Sequence, residues 1–148
     1  MLVALVIIGV LSACIIPFCV GACSSTKVKS AAESVESILN NARMNSQAMN
    51  KKYEVEFLIA DNDLNINTYT DIDSTPPTKV GKTHKFSFPS SIQLVTTFTD
   101  NKALFTPRGT SNGGRLVLFN SSKARGKEIV VLSSTARIEL DTCQELPE

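Results

Sequence analysis

No charged side chain occurs in the first 26 residues of this 148-residue chain, and Leu2 to Ala22 is almost wholly apolar. About 20 helical residues span the roughly 30 Å hydrocarbon layer of a bilayer, so the run is long enough to cross one. Its twelve Leu, Ile, Val and Phe residues each favour insertion by roughly 0.3 to 0.6 kcal/mol. The sum, about 4 to 7 kcal/mol, exceeds what Gly9, Gly21 and Pro17 subtract. The chain therefore reads as an envelope protein on an apolar N-terminal stem, residues 1–23.

Beyond the stem the pattern becomes one-sided. Val28, Ala31, Ala32, Val35, Ile38, Leu39, Ala42 and Met49 follow the stripe of an amphipathic helix, with Lys29, Glu33, Glu36, Asn40 and Arg43 off it. Residues 24–52 are thus the second half of one long helix, roughly 75 Å from Met1 to about Asn50, which Pro17 should kink. From Tyr53 the period is two. Tyr53, Val55, Phe57 and Ile59 alternate with Glu54, Glu56 and Leu58, and Leu64 to Thr70 alternates more weakly after an Asp61-Asn62-Asp63 turn. Asp71 to Gly81, with Pro76-Pro77, reads as a loop. Six short strands are expected at His84 to Phe88, Ile92 to Phe98, Ala103 to Phe105, Arg115 to Phe119, Glu128 to Leu132 and Ala136 to Leu140. Helix first and strands after predicts an α+β fold, a long N-terminal helix packed on an antiparallel sheet or small β-sandwich. Residues 53–148 form the β-rich globular part, one domain of ordinary size.

Charge balances overall but not along the chain. Six acids and no base lie between Glu54 and Asp73, whereas ten bases and only Asp100 and Glu128 lie between Lys79 and Arg137. Either these are solvated faces of different strands, or the surface has one acidic and one basic side. Arg108, Arg115, Lys123, Arg125 and Lys127, with Arg137, are the candidate anion-binding set. Lys123-Ala124-Arg125-Gly126-Lys127 is expected in a loop, where it would meet nucleic-acid phosphates or solvent. Aromatic residues to stack bases are sparse there, with only Phe105 and Phe119.

Enzyme chemistry has no visible apparatus. His84 stands alone on an expected surface strand, and Cys143 has no base near it in sequence. Cys14, Cys19 and Cys23 belong to the stem, so a disulfide would require Cys143 to reach Cys23. No zinc spacing exists. Asp61-Asn62-Asp63-Leu64-Asn65 opens like a calcium loop, but Ile66 and Ile72 stand where Gly and Glu belong, so an acidic hairpin turn is expected. Asn112-Gly113-Gly114 lacks a following Gly-Lys-Ser/Thr and reads as a hairpin turn with positive φ, and no cofactor is implied. Ala13-Cys14 and Ala22-Cys23 resemble lipoprotein cleavage boxes, but no basic segment precedes the apolar run.

Three stretches carry a family resemblance. One is Leu2 to Ala13 with Gly9 followed eight residues later by Pro17; membrane-stem positions are Leu2, Val6, Gly9, Ala13 and Pro17. Another is Leu39-Asn40-Asn41-Ala42-Arg43, then Ala48 and the strand Tyr53 to Ile59. The third runs from Phe105-Thr106-Pro107-Arg108-Gly109 through Asn112-Gly113-Gly114 to Leu118, then Ile129-Val130-Val131 and Ala136-Arg137-Ile138. In this order they resemble type IV pilin-like proteins, most of all the minor pseudopilin H family of type II secretion. The resemblance implies a structural, non-enzymatic subunit of a secretion pseudopilus or pilus-like filament. Its partners would be other pseudopilins or pilins, met through the N-terminal helix, and the bacterial inner membrane. It also implies a single-pass topology with the domain in the periplasm, and a basic leader with a Glu coded in frame before Met1. Lys27 and Lys29, taken by the positive-inside rule alone, would leave the domain cytoplasmic; the expected leader reverses that. The alternative within the same resemblance is a minor pilin of a DNA-uptake or adhesive pilus that binds anions, and nucleic acid in particular, through the basic hairpins. Secreted cargo and a secretin contact are left unassigned.

Overall fold

The computed structural model describes residues 26–121 and 125–143. The stem positions Leu2, Val6, Gly9, Ala13 and Pro17 lie outside the described residues, as do Cys14, Cys23 and Lys123. Helix α1 occupies residues 26–48. Among the described residues no helix is long and apolar enough to cross a membrane. Eight strands follow: β1 (Tyr53–Ala60), β2 (Asp63–Thr70), β3 (Thr78–Ser87), β4 (Ile92–Thr96), β5 (Lys102–Phe105), β6 (Gly114–Asn120), β7 (Arg125–Val131) and β8 (Ile138–Cys143).

They form two antiparallel four-stranded sheets, ordered β3-β2-β1-β5 and β4-β6-β7-β8. The sheets are interleaved in sequence, because β4 of the second sheet is laid down before β5 closes the first. Helix α1 packs on both. Its buried stripe of Val28, Ala31, Ala32, Val35, Leu39 and Ala42 joins one core with Val55, Phe57, Leu64 and Ile66 from one sheet and Leu116, Leu118, Ile129 and Val131 from the other. Each of the Val, Leu, Ile and Phe side chains among these, fully buried, contributes roughly 1.5 to 3 kcal/mol. Phe57 stacks on Phe98 with centroids 5.3 Å apart, adding about 0.5 to 1.5 kcal/mol. The expected α+β fold is the observed one.

Several local expectations change. Met49 lies past the end of α1 and is 63% exposed. Ser46 takes the last buried position instead, its hydroxyl 2.7 Å from the Arg43 carbonyl and 3.3 Å from that of Thr106. A small residue is needed there because the turn after β5 crosses the helix closely. The expected loop from Asp71 to Gly81 is shorter, since β3 begins at Thr78 and pairs with β2 from Thr70↔Thr78 to Asp63↔Ser87. β3 is an edge strand, mostly exposed, so it carries no alternation of apolar residues to betray it. β4 stops at Thr96 rather than Phe98, where a short turn, Thr99–Asn101, intervenes. β8 starts and ends later than expected, at Ile138 and Cys143.

The Asp61-Asn62 connection is a tight hairpin, with Ala60 paired to Asp63 and Asp61 at φ 51°. Gly113 and Gly114 do have positive φ, 67° and 153°, but they join β5 of one sheet to β6 of the other and close no hairpin. A Cβ on Gly114 would collide with the Phe98 ring, so close approach as well as φ fixes this glycine. Asn112 secures the crossover. Its side chain accepts from the Leu104 N–H at 3.0 Å and donates to the Lys102 carbonyl at 2.7 Å.

Candidate functional site

The face of α1 opposite the core carries Ser30, Glu33, Ser37, Asn41, Met44 and Ala48, all exposed. Lys29 and Glu33 form an i,i+4 pair at 3.8 Å, and the Ser34 hydroxyl donates back to the Ser30 carbonyl at 2.8 Å. His84 is exposed on β3 and lies along the helix flank beside Ser37, Ile38 and Asn41. The acidic stretch Glu54 to Asp73 is not an acidic side of the molecule. Lys102 pairs with Glu54 at 3.0 Å, Lys85 with Asp63 at 3.0 Å, Lys51 with Asp71 at 2.9 Å and Lys52 with Asp73 at 3.1 Å. Glu56 accepts from Asn67 at 3.3 Å and from the Tyr69 hydroxyl at 3.2 Å.

These contacts set the protonation behaviour. The hydrogen bond to Glu54 raises the Lys102 pKa above the ordinary lysine value. Burial, with the Glu56 charge behind it, raises that of Tyr69. A hydrogen bond from Ser87, then one from Lys85, lowers that of Asp63. Asp63, the second acid of the calcium-like run from Asp61, is therefore committed to a lysine and a hydroxyl. Burial, then the Glu128 charge, raises the Cys143 thiol, which is a free cysteine.

The candidate anion-binding residues fall into separate places. Arg108 is exposed in the turn Thr106 to Thr110, closed by Gly109 N–H to Thr106 O at 3.0 Å. That turn sits against Gln47, since a Cβ on Gly109 would lie 2.7 Å from the Gln47 amide nitrogen. Arg115 pairs with Glu128 at 3.2 Å and Arg137 with Glu139 at 3.1 Å, leaving neither cation unmet. Arg125 and Lys127 lie on β7 rather than in a loop, opposite Asn120 and Leu118 of β6. Their register follows from Gly126. A Cβ there would sit 2.6 Å from the Leu118 carbonyl and 2.8 Å from the Cys143 sulfur, so only a glycine lets β7 pass between β6 and β8.

Arg125 and Lys127 share a groove of about 540 Å³ with Thr26, Val28, Lys29 and Asn120. It opens at the Thr26 end of α1, about 32 Å along the helix from Gln47 and the Arg108 turn. Arg115 stands five residues along β6 from Asn120, roughly 17 Å away. The structure thus brings Arg125 and Lys127 together and holds Arg108 and Arg115 apart from them. It also adds Lys29, which the sequence marks as a residue off the helical stripe and as a flanking charge of the stem but not as an anion ligand. Nothing local in the sequence signals that meeting, which depends on how α1 crosses the second sheet.

No protein-family model matches the chain, and no curated protein matches it in sequence. Solved structures do resemble it. The minor pseudopilin EpsH from the type 2 secretion system of Vibrio cholerae aligns with TM-score 0.60 and 12% identity over 78% of this chain and 96% of that one. The type IV minor pilin FimU of Pseudomonas aeruginosa aligns with TM-score 0.58 and 17% identity over 79% and 90%. A second EpsH structure gives 0.57 and 12% over 78% and 93%. The chain has a type IV pilin-like fold.

Proposed function

We propose that this type IV pilin-like chain is a structural minor subunit of a secretion pseudopilus or pilus-like filament. Residues 1–23 would cross the inner membrane and pack with the stems of other pilins, holding the domain on the periplasmic side. The observation that carries this reading is the direct run of an apolar stem into a helix whose inner face is locked to two sheets. A stem continuous with that helix would pass a force or a contact to the whole domain, which is what a filament subunit requires. The exposed helix face from Ser30 to Ala48 is the surface left for neighbouring subunits. Non-enzymatic action follows from the same role.

Fractionation of cells making the full chain tests it. The chain should resist alkaline carbonate extraction, its domain should be digested by protease in spheroplasts, and cysteines placed at Ser37 or Asn41 should crosslink to other pilins. Release by carbonate, or a domain protected from protease in spheroplasts yet digested after lysis, would defeat the proposal. Genes for a secretion ATPase and secretin beside this one would favour the pseudopilus; competence genes would favour a DNA-uptake pilus.

A further inference from the structure

Two grooves meet at Thr26, the end of the domain from which the stem departs. One, about 610 Å³, is lined by Ala31, Phe86 and Phe88, with Lys27 and Lys85 beside them. The other is the groove of Lys29, Arg125 and Lys127. Five basic residues therefore gather at one end. Glu33 meets Lys29 and Asp63 meets Lys85, but no ion pair joins Lys27, Arg125 or Lys127 to an acid among the described residues.

Covalent geometry limits what can lie beside this end. Ala22 closes the apolar run four residues before Thr26, so the two are at most about 14 Å apart whatever the intervening conformation. The polar layer on each side of a bilayer is roughly 5 to 8 Å deep. If Ala22 sits at the edge of the hydrocarbon, Lys27 and Lys29 are within reach of the headgroups, and the grooves bring Lys85, Arg125 and Lys127 to the same level.

We infer that the Thr26 end of the domain is a binding site for anionic phospholipid headgroups. Lys27, Lys29, Arg125 and Lys127 take the phosphates, and the half-buried Phe86 ring in the first groove takes the glycerol and first acyl carbons. The inference rests on the reading that residues 1–23 span the bilayer. Apolar wall and basic rim together fit a lipid better than a nucleic acid. A duplex would need a longer basic track, and Arg108 stands at the far end of α1. A single strand would need several open aromatic faces in a row, whereas Phe88 is buried and Phe86 alone is half-open.

The test uses the full chain reconstituted in phosphatidylcholine bilayers containing spin-labelled phosphatidylglycerol or spin-labelled phosphatidylcholine. Electron spin resonance gives the relative association of each lipid with the protein. The unmutated chain should prefer phosphatidylglycerol, and the preference should weaken as salt rises. Lys27→Gln, Arg125→Gln and Lys127→Gln should each lower it up to roughly fivefold, whereas Arg108→Gln should leave it unchanged. Equal association of both lipids with the inserted, unmutated chain would overturn the inference and spare the stem reading. So would tight binding of a duplex oligonucleotide at the same residues. Failure of the chain to insert at all would defeat the stem reading and the lipid site with it.

Discussion

Asp63 shows how a single side chain can report on the hairpin it closes. Its carboxyl is held below the ordinary value by Ser87 first and Lys85 second, so the folded chain takes up this proton less readily than the unfolded one. The stabilisation is present at neutral pH and is lost as pH falls through the depressed value, below about 3.9. Asp63→Asn should thus lose less stability than the parent chain between pH 5 and pH 2, measured as urea midpoints. The effect should be small, because the pair faces solvent. Gly126 is a stronger constraint. Gly126→Ala forces a methyl between the Leu118 carbonyl and the Cys143 sulfur and should cost about 1 to 3 kcal/mol in denaturant titration. That cost was not legible in the sequence, where Gly126 stands between two bases and looks like loop punctuation. Its need is set by a third strand that lies 17 residues further on.

Elements were legible in proportion to how much they bury. α1 and β1 each have one clear apolar face, and both are where the spacing puts them. Leu39→Ala should therefore cost about 2 to 5 kcal/mol, and Ser37→Ala on the opposite face should stay within about 0.5 kcal/mol, by the same titration. The first half of β3, Thr78 to Thr83, escaped notice because its order comes from backbone pairing to β2 rather than from side-chain burial. Ten residues of open edge invite pairing with other chains, and Lys79, Lys82 and Lys85 discourage it. Lys82→Val should raise the aggregated fraction seen by light scattering on concentration, with little change in the melting temperature. The basic segment near Arg125 was misplaced for a related reason. Strand β7 begins with charged residues at the mouth of a groove, so its first three positions lack the apolar alternation that marks its end.

At the scale of the molecule, the order helix then strands fixed the class, and the division near residue 24 has a direct consequence. Removing residues 1 to 24 should leave a soluble domain with a β-rich circular dichroism spectrum, since Val28 to Ser46 bury their inner face within the domain itself. An insoluble product without β signal would show that the core needs the stem. What no local pattern disclosed was the partition into two sheets, because it depends on which strand β4 waits for. β4 is made before β5, yet its only partner among the described residues, β6, comes 18 residues after β4 ends. The first sheet likewise stays open until β5 returns to β1 across the whole of β2, β3 and β4. The first sheet is thus finished inside the span of the second, and a cut between the two would leave either β4 without β6 or the first sheet without β5. Synthesis cannot bank a folded first half. The domain should instead fold late, after β7 has emerged, and melt in one transition with calorimetric and van't Hoff enthalpies equal.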